Sequence, residues 1–357
     1  MVEQKIITAY TQEAVDLLRQ MIQIPSVSRD EAAVADLLQQ TLQEMGLNPH
    51  RHGNNVWCVD PKFNAQKPTL LLDAHIDTVK PVSAWERNPF EPSLEGDILY
   101  GLGSNDDGGS VVSLLQIYRH LIQTEQAYNL VYSASCEEEV SGKNGLESIL
   151  PLLPPITAAI VGEPTEMQPA IAEKGLMVLD VTAHGKAGHA ARNEGVNAIY
   201  KALDDICWVR GYHFEKESPL LGPVKMTVTV VQAGTQHNVI PDQCTFVVDV
   251  RSNELYSNQE LFELISSHMQ SEVKARSFRL NSSRMDLNHP MVQKALSLGL
   301  QPFGSPTLSN QALMPFPSMK IGPGNSSRSH TAGEFIRISE IEQAIKLYFQ
   351  LLYGLTL

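Results

Sequence analysis

Five stretches of this sequence carry carboxylates or histidines where such groups are costly to bury unless something pairs with them. In LLLDAHIDTV (residues 70–79), three leucines run straight into Asp73, His75 and Asp77. GLGSNDDGG (101–109) holds Asp106 and Asp107, and SCEEEVSG (135–142) holds Glu137, Glu138 and Glu139. VGEPT (161–165) brings Glu163, and GPGNSSRSHTAGE (322–334) brings His330. Carboxylates crowded together repel, and their pKa values rise, unless a cation neutralises them. Imidazoles and carboxylates without thiolates suit zinc, cobalt or manganese. The set is large enough for two divalent ions about 3.5–4 Å apart.

Each stretch alone has a plainer reading. A His-x-Asp after a strand can be a hydrogen-bonded core residue, and a Glu-Glu-Glu run is usually a solvated face. GLGSNDDGG can be a turn, Glu163 a strand-end charge and His330 a helix-start residue. Position weighs against the plain readings, because the strand-borne groups follow apolar runs. In an open α/β sheet, ligands bind beyond the carboxyl ends of the strands. Rival chemistries lack their residues. Asp106 stands where a dinucleotide loop needs its third glycine, and neither a P-loop nor G-x-S-x-G occurs. Cys58, Cys136, Cys207 and Cys244 are far apart with no C-x-x-C, and read as free thiols rather than a disulfide framework.

The elements that must position these groups follow from apolar spacing. Helical spacing covers about 8–23, and a second helix follows IPSVSRDE, where Ser28 and Glu31 have capping-box spacing. NNVWCVD, TLLLDAH, YNLVYSASCEE and AAIVGEP read as strands, alternating with helical GGSVVSLLQIYRHLIQT and NGLESILPLL. Strands apolar throughout and separated by helices predict a sheet covered on both faces. From about residue 176 the order becomes β-α-β-β-α-β, ending on a strand at SFRLNSS, which predicts a small split βαβ sandwich. After residue 288 the α/β texture returns. The expected organisation is one catalytic α/β domain (1–176 and 288–357) interrupted by an inserted domain (177–287).

Bulk composition narrows the partners. The chain has 357 residues, 43% hydrophobic and 19% charged, as in ordinary globular proteins. With 27 basic and 40 acidic residues its net charge is −13, which argues against nucleic acid or an anionic membrane as partner. No apolar run approaches membrane-spanning length, and MVEQKIITAYTQEAV lacks a signal core, so the expectation is a cytoplasmic protein.

Taken together, HIDTV, YGLGSNDDGG, CEEEVSG, GEPT, HGKAGHAARNEGVNAI, NVIPD with DVR, and SHTAGE resemble the acetylornithine deacetylase, succinyl-diaminopimelate desuccinylase and aminoacylase family of dinuclear zinc metallopeptidases. The resemblance runs over nearly the whole chain. It implies a zinc-peptidase-like catalytic domain with a mixed sheet flanked by helices, and an inserted ferredoxin-like α+β lid used for homodimerisation. It also implies two divalent ions, zinc before cobalt or manganese. His75 and Glu163 would bind one ion, Glu139 and His330 the other, and Asp106 would bridge both. Asp77 would hold the His75 imidazole, and Glu138 would be the general base. His189 in the lid would stabilise the oxyanion. Asn238 and Arg251 would grip the substrate, and a loop at Gly322 and Gly324 would receive its carboxylate.

The implied reaction is removal of an acyl group from a small N-acyl amino acid, first of all N-acetylornithine in arginine biosynthesis. N-acetyl- or N-succinyl-citrulline, acyl-lysine or diaminopimelate deacylases and dipeptidases are the rivals within the family. A metal-stabilised dimeric binding protein is the reading outside it. Leu102, Asp107 and Gly108 depart from the family's usual Arg and Met-Lys at those places, which favours a cationic substrate such as an acylated ornithine.

Overall fold

The computed structural model describes residues 4–192 and 194–357. Residues 1–3 of the expected first domain and Asn193 of the lid motif lie outside them. The chain divides into two compact units. One comprises 1–171, 285–303 and 309–357, and the other 172–284 with 304–308.

The first unit is built on a mixed sheet. Strand Thr69–His75 lies between Asn129–Ser135 and Ala158–Val161, parallel to both, and Ser318–Lys320 adds in parallel to Ala158–Val161. Asn55–Val59 extends the sheet antiparallel to Asn129–Ser135. The two longest of these strands are buried along their whole length, as apolar runs without alternation require. Helices Gln4–Ile22, Gly109–Leu121 and Ile338–Leu352 pack against one another, and Gly109–Leu121 packs on the Thr69–His75 strand. Because four strands run the same way, His75, Cys136–Glu139, Glu163 and Gly322 all leave the sheet at one edge.

The second unit is an antiparallel four-stranded sheet in the order Lys225–Ala233, Gln243–Arg251, Met177–His184, Glu272–Ala275. With helices Ala198–Gly211 and Asn258–His268 between strands, this is the ferredoxin-like arrangement. Met177–His184 alternates buried and half-buried residues, as a sheet with one covered face requires.

Three local expectations are corrected. The helix expected after Ser28 spans Ala32–Glu44, but it has no side-chain capping bond. The Ser28 side chain accepts no helix N–H; its hydroxyl donates to the buried Asp77 carboxylate (Oδ2, 2.7 Å), a charge-assisted bond that holds it away from the helix start. The last strand of the four-stranded sheet is Glu272–Ala275, not SFRLNSS, of which only Ser283 enters a strand, Ser283–Arg284. Val273 and Ala275 face Val181 and Leu179 across the ladder, so that earlier segment fills the edge. The helix expected over NGLESILPLL is a short α-turn, Leu146–Ile149, continued as a 3₁₀ turn Leu150–Leu152. Pro151, Pro154 and Pro155 prevent anything longer.

Candidate metal centre

His75 is the last residue of its strand and is 2% exposed. Its Nδ1 lies 2.9 Å from the Asp77 main-chain carbonyl and 3.5 Å from Asp77 Oδ1. A proton on Nδ1 satisfies that contact and leaves Nε2 as a ligand atom, facing Asp106 Oδ1 at 3.2 Å.

Asp77 does more than hold an imidazole. Its carboxylate is fully buried and accepts the Glu138 N–H (3.0 Å), the Glu139 N–H (3.1 Å) and the Ser28 hydroxyl. It therefore fixes the turn from which Glu138 and Glu139 project. The His75 charge and these donors hold the Asp77 carboxyl below the usual carboxylate range, against the larger opposing effect of burial.

Asp106 sits in the turn Ser104–Gly108 that leads into helix Gly109–Leu121, and the Asp106–Asp107 peptide is cis. Its two oxygens face different imidazoles: Oδ1 faces His75, and Oδ2 lies 3.6 Å from His330 Nε2. His330 Nε2 also meets Glu139 Oε1 at 2.9 Å. His330 adopts a left-handed backbone (φ +61°), a conformation that recurs at functional sites.

Ligand atoms of His75, Asp106 and Glu139 lie within 4.8 Å of one another, and so do those of His75, Glu138 and Glu163. The first-unit residues singled out from the sequence as ligands and base are thus gathered at one edge of the sheet. Glu138 stands among the groups that could themselves hold an ion.

The acids of this cluster outnumber its two imidazoles, His75 and His330. Burial first, then neighbouring carboxylates led by Glu163, push Asp107 and Glu138 well above the usual carboxylate range, though His75 pulls the other way. Burial raises Glu139 as well. The hydrogen bond to Glu139 raises His330 to about 9. Asp107 is 1% exposed, and neither carboxylate oxygen has a hydrogen-bond partner among the described residues. Buried carboxylates arranged this way, with two imidazoles and no thiolate, fit a divalent cation of the borderline or hard class. Asp107 does not line a mouth where it could choose a cationic substrate. Its carboxyl lies inside the fold, beside the cluster.

The remaining candidates lie elsewhere. Gly322 N–H donates to Thr165 Oγ1 (3.1 Å), and its carbonyl accepts Met167 N–H (2.9 Å). A Cβ on Gly322 would collide with Ser110 and with the Glu163 carbonyl, so the missing side chain lets Glu163 approach the sheet. Gly324 (φ +87°) sits against the Asn105 side chain. In the second unit, His189 pairs with Val239 on adjacent short strands, and Asn238 O accepts the Ala190 N–H at 3.0 Å. His189 is exposed, and its Nδ1 accepts the Ala191 N–H at 3.1 Å. Arg251 uses Nε and Nη2 on Asp249 at 2.8 and 3.1 Å.

Sequence reasoning gave three buried acids around the centre no role there. Glu31 is fully buried and accepts the Glu137 N–H (3.3 Å). Glu137 folds back to accept Asn144 Nδ2 (2.9 Å), closing the loop after the acidic run. Glu334 is 2% exposed and accepts three backbone N–H groups: Gly103 (3.1 Å), Asn105 (2.9 Å) and Asp106 (2.9 Å). Burial, then the Asp106 charge, push Glu334 up to about 8 despite those donors. The available signal was its place four residues after His330 in a motif already singled out.

Comparison with known proteins agrees with this architecture. Residues 171–277 match the M20 peptidase dimerisation domain. The chain is 25% identical over 289 residues to a succinyl-diaminopimelate desuccinylase of Wolbachia pipientis, covering 76% of this chain and 73% of that protein. An M20 family metallo-carboxypeptidase of Sulfolobus solfataricus has the same fold (TM-score 0.72, 20% identity, 95% of this chain and 98% of that one). So does a dinuclear metal-binding M20 peptidase of Bacillus subtilis (TM-score 0.72, 17% identity, 97% of this chain and 98% of that one). Residues 171–277 thus match a dimerisation domain of the M20 peptidases, and the chain as a whole shares the fold of M20 metallopeptidases.

Proposed function

We propose that this protein is a two-metal amidohydrolase that removes the acyl group from an N-acyl amino acid. The observation that carries this reading is the pair of Asp106 oxygens, one facing His75 and the other facing His330. His75, Glu163 and Asp106 would hold one ion, and Asp106, Glu139 and His330 the other. Zinc fits this donor set first, with cobalt or manganese as substitutes. When bound, such ions supply Lewis-acid polarisation of an amide carbonyl and activation of a water near neutral pH.

The residues of the chain do the rest. Asp77 fixes the Glu138 backbone, and Glu138 takes the proton of the attacking water and returns it to the leaving amine. His189 would donate to the oxyanion. Its Nδ1 already accepts a backbone N–H, which puts the ring proton on Nε2. Arg251 would grip the substrate with its Nη1 edge, the other edge being held by Asp249, and Asn238 would assist. Backbone groups near Gly322 and Gly324 would receive the substrate carboxylate.

In this reading the first unit is catalytic and the second a lid through which two copies associate. The match of residues 171–277 to a dimerisation domain supports a homodimer. So do the exposed apolar side chains Ile199, Tyr200, Leu203, Val230 and Val231 on one helix and the edge strand of that unit. No helix among the described residues is long and apolar enough to cross a membrane. The cytoplasm is the compartment in this reading, from the sequence.

N-acetylornithine, and with it arginine biosynthesis, is the first substrate in this reading. N-succinyl-diaminopimelate is the second, favoured by the similarity to a desuccinylase. A panel of N-acetyl and N-succinyl derivatives of ornithine, citrulline, lysine and diaminopimelate, together with dipeptides, decides between them. The expected result is that kcat/KM for N-acetylornithine exceeds the others by at least about tenfold, roughly 1.4 kcal/mol of transition-state discrimination. Faster cleavage of a dipeptide would replace deacylation with peptide hydrolysis. No turnover of any member by metal-loaded protein would favour a binding protein.

A further inference from the structure

Glu334 reaches the centre through a small sheet of its own. Strand Phe335–Arg337 pairs antiparallel with Ile98–Tyr100, Phe335 lying opposite Tyr100. The same ladder lets the Glu334 carbonyl accept the Gly101 N–H at 3.1 Å. That register sends the Glu334 carboxylate into the concave side of the turn that carries Asp106, where Oε2 accepts from Gly103 and Oε1 from both Asn105 and Asp106. Burying a carboxylate is costly, and three amide donors offset part of that cost only while the turn keeps this one shape. Four residues upstream, His330 faces Oδ2 of the same aspartate. One short segment, 330–334, therefore meets Asp106 from both ends.

We propose that Glu334 is a positioning residue for the metal centre: by holding the amides of Gly103, Asn105 and Asp106 it aims the two Asp106 oxygens at the two imidazoles. It touches neither substrate nor metal in this role. The proposal rests on the two-metal reading above. Groups that orient a ligand from behind typically change metal affinity by about 10–100-fold when replaced.

Glu334→Gln keeps the Oε1 acceptor but sets an NH₂ against the Gly103 N–H. Metal-free wild-type protein and this variant are titrated with Co²⁺ against a competing chelator, following the visible d–d bands. Wild type is expected to bind two Co²⁺, and the variant to bind more weakly by about 10–100-fold with shifted bands. Asp205→Asn, which removes a buried acceptor of the Gln270 and Ser271 amides in the other unit, controls for lost stability and should leave the bands in place. Wild-type affinity and bands in Glu334→Gln would overturn the role of Glu334 alone, whereas wild-type protein that binds no Co²⁺ at this cluster would remove the metal-centre reading itself. Should Glu334→Gln not fold, hydrogen exchange of the wild-type protein decides. The Gly103, Asn105 and Asp106 amides should be strongly protected, and rapid exchange there would overturn the clamp.

Discussion

Glu138→Gln is expected to fold, to bind its full complement of metal and to lose about 10²–10⁴-fold in kcat. The substitution keeps side-chain volume and removes only the ability to take up a proton. The backbone N–H of Glu138 stays anchored on Asp77 whatever side chain it bears. KM should change little, because the lost proton transfer belongs to the transition state. Metal analysis of the same preparation is essential, because Glu138 lies with His75 and Glu163 in a group that could hold an ion. A variant that loses both turnover and one equivalent of metal would make Glu138 a ligand rather than the base. A fully active variant would remove it from the reaction.

Stripping the protein with a chelator is expected to abolish turnover, and adding back Zn²⁺ or Co²⁺ to restore it. Chelation should also unbalance the two units in a way calorimetry resolves. Every residue assigned to the metals lies in the first unit: His75, Asp106, Glu139, Glu163 and His330. A ligand bound only to the native state adds about 4 kcal/mol at a thousandfold excess over its Kd. Removing the ions also leaves Glu138, Asp107 and Glu139 as buried acids whose charge burial disfavours. The transition of the first unit should therefore move down on chelation, and that of the second, 172–284, should stay in place. Equal shifts in both, or none in either, would separate metal binding from this cluster.

What could be read from the sequence was what depends on spacing along one strand. TLLLDAH, NLVYSAS and AAIV are apolar runs ending in acids or histidine, and three parallel ladders bring those ends to one edge. Interactions between side chains distant in sequence were not readable. The Ser28–Glu31 spacing suggested a capping box, but a buried carboxylate 49 residues away takes the serine hydroxyl. Asp107 looked like a charge at a mouth, yet burial depends on how the turn packs. Glu334 was visible in SHTAGE, but its partners lie 228 to 231 residues upstream and are backbone amides, which leave no mark on residue type. SFRLNSS looked like a strand from its residues alone, whereas pairing with Leu179 and Val181 selected its neighbour Glu272–Ala275.

Anomalous diffraction at the zinc edge, from crystals grown with Zn²⁺, tests the central claim most directly. Two peaks are predicted about 3.5–4 Å apart, with Asp106 contributing one oxygen to each. His75 should lie about 2.0–2.1 Å from one peak and His330 the same distance from the other. A single peak, or peaks that leave Asp106 bound to only one ion, would contradict the bridged pair on which the assignment of Glu138, Glu163 and Glu139 depends.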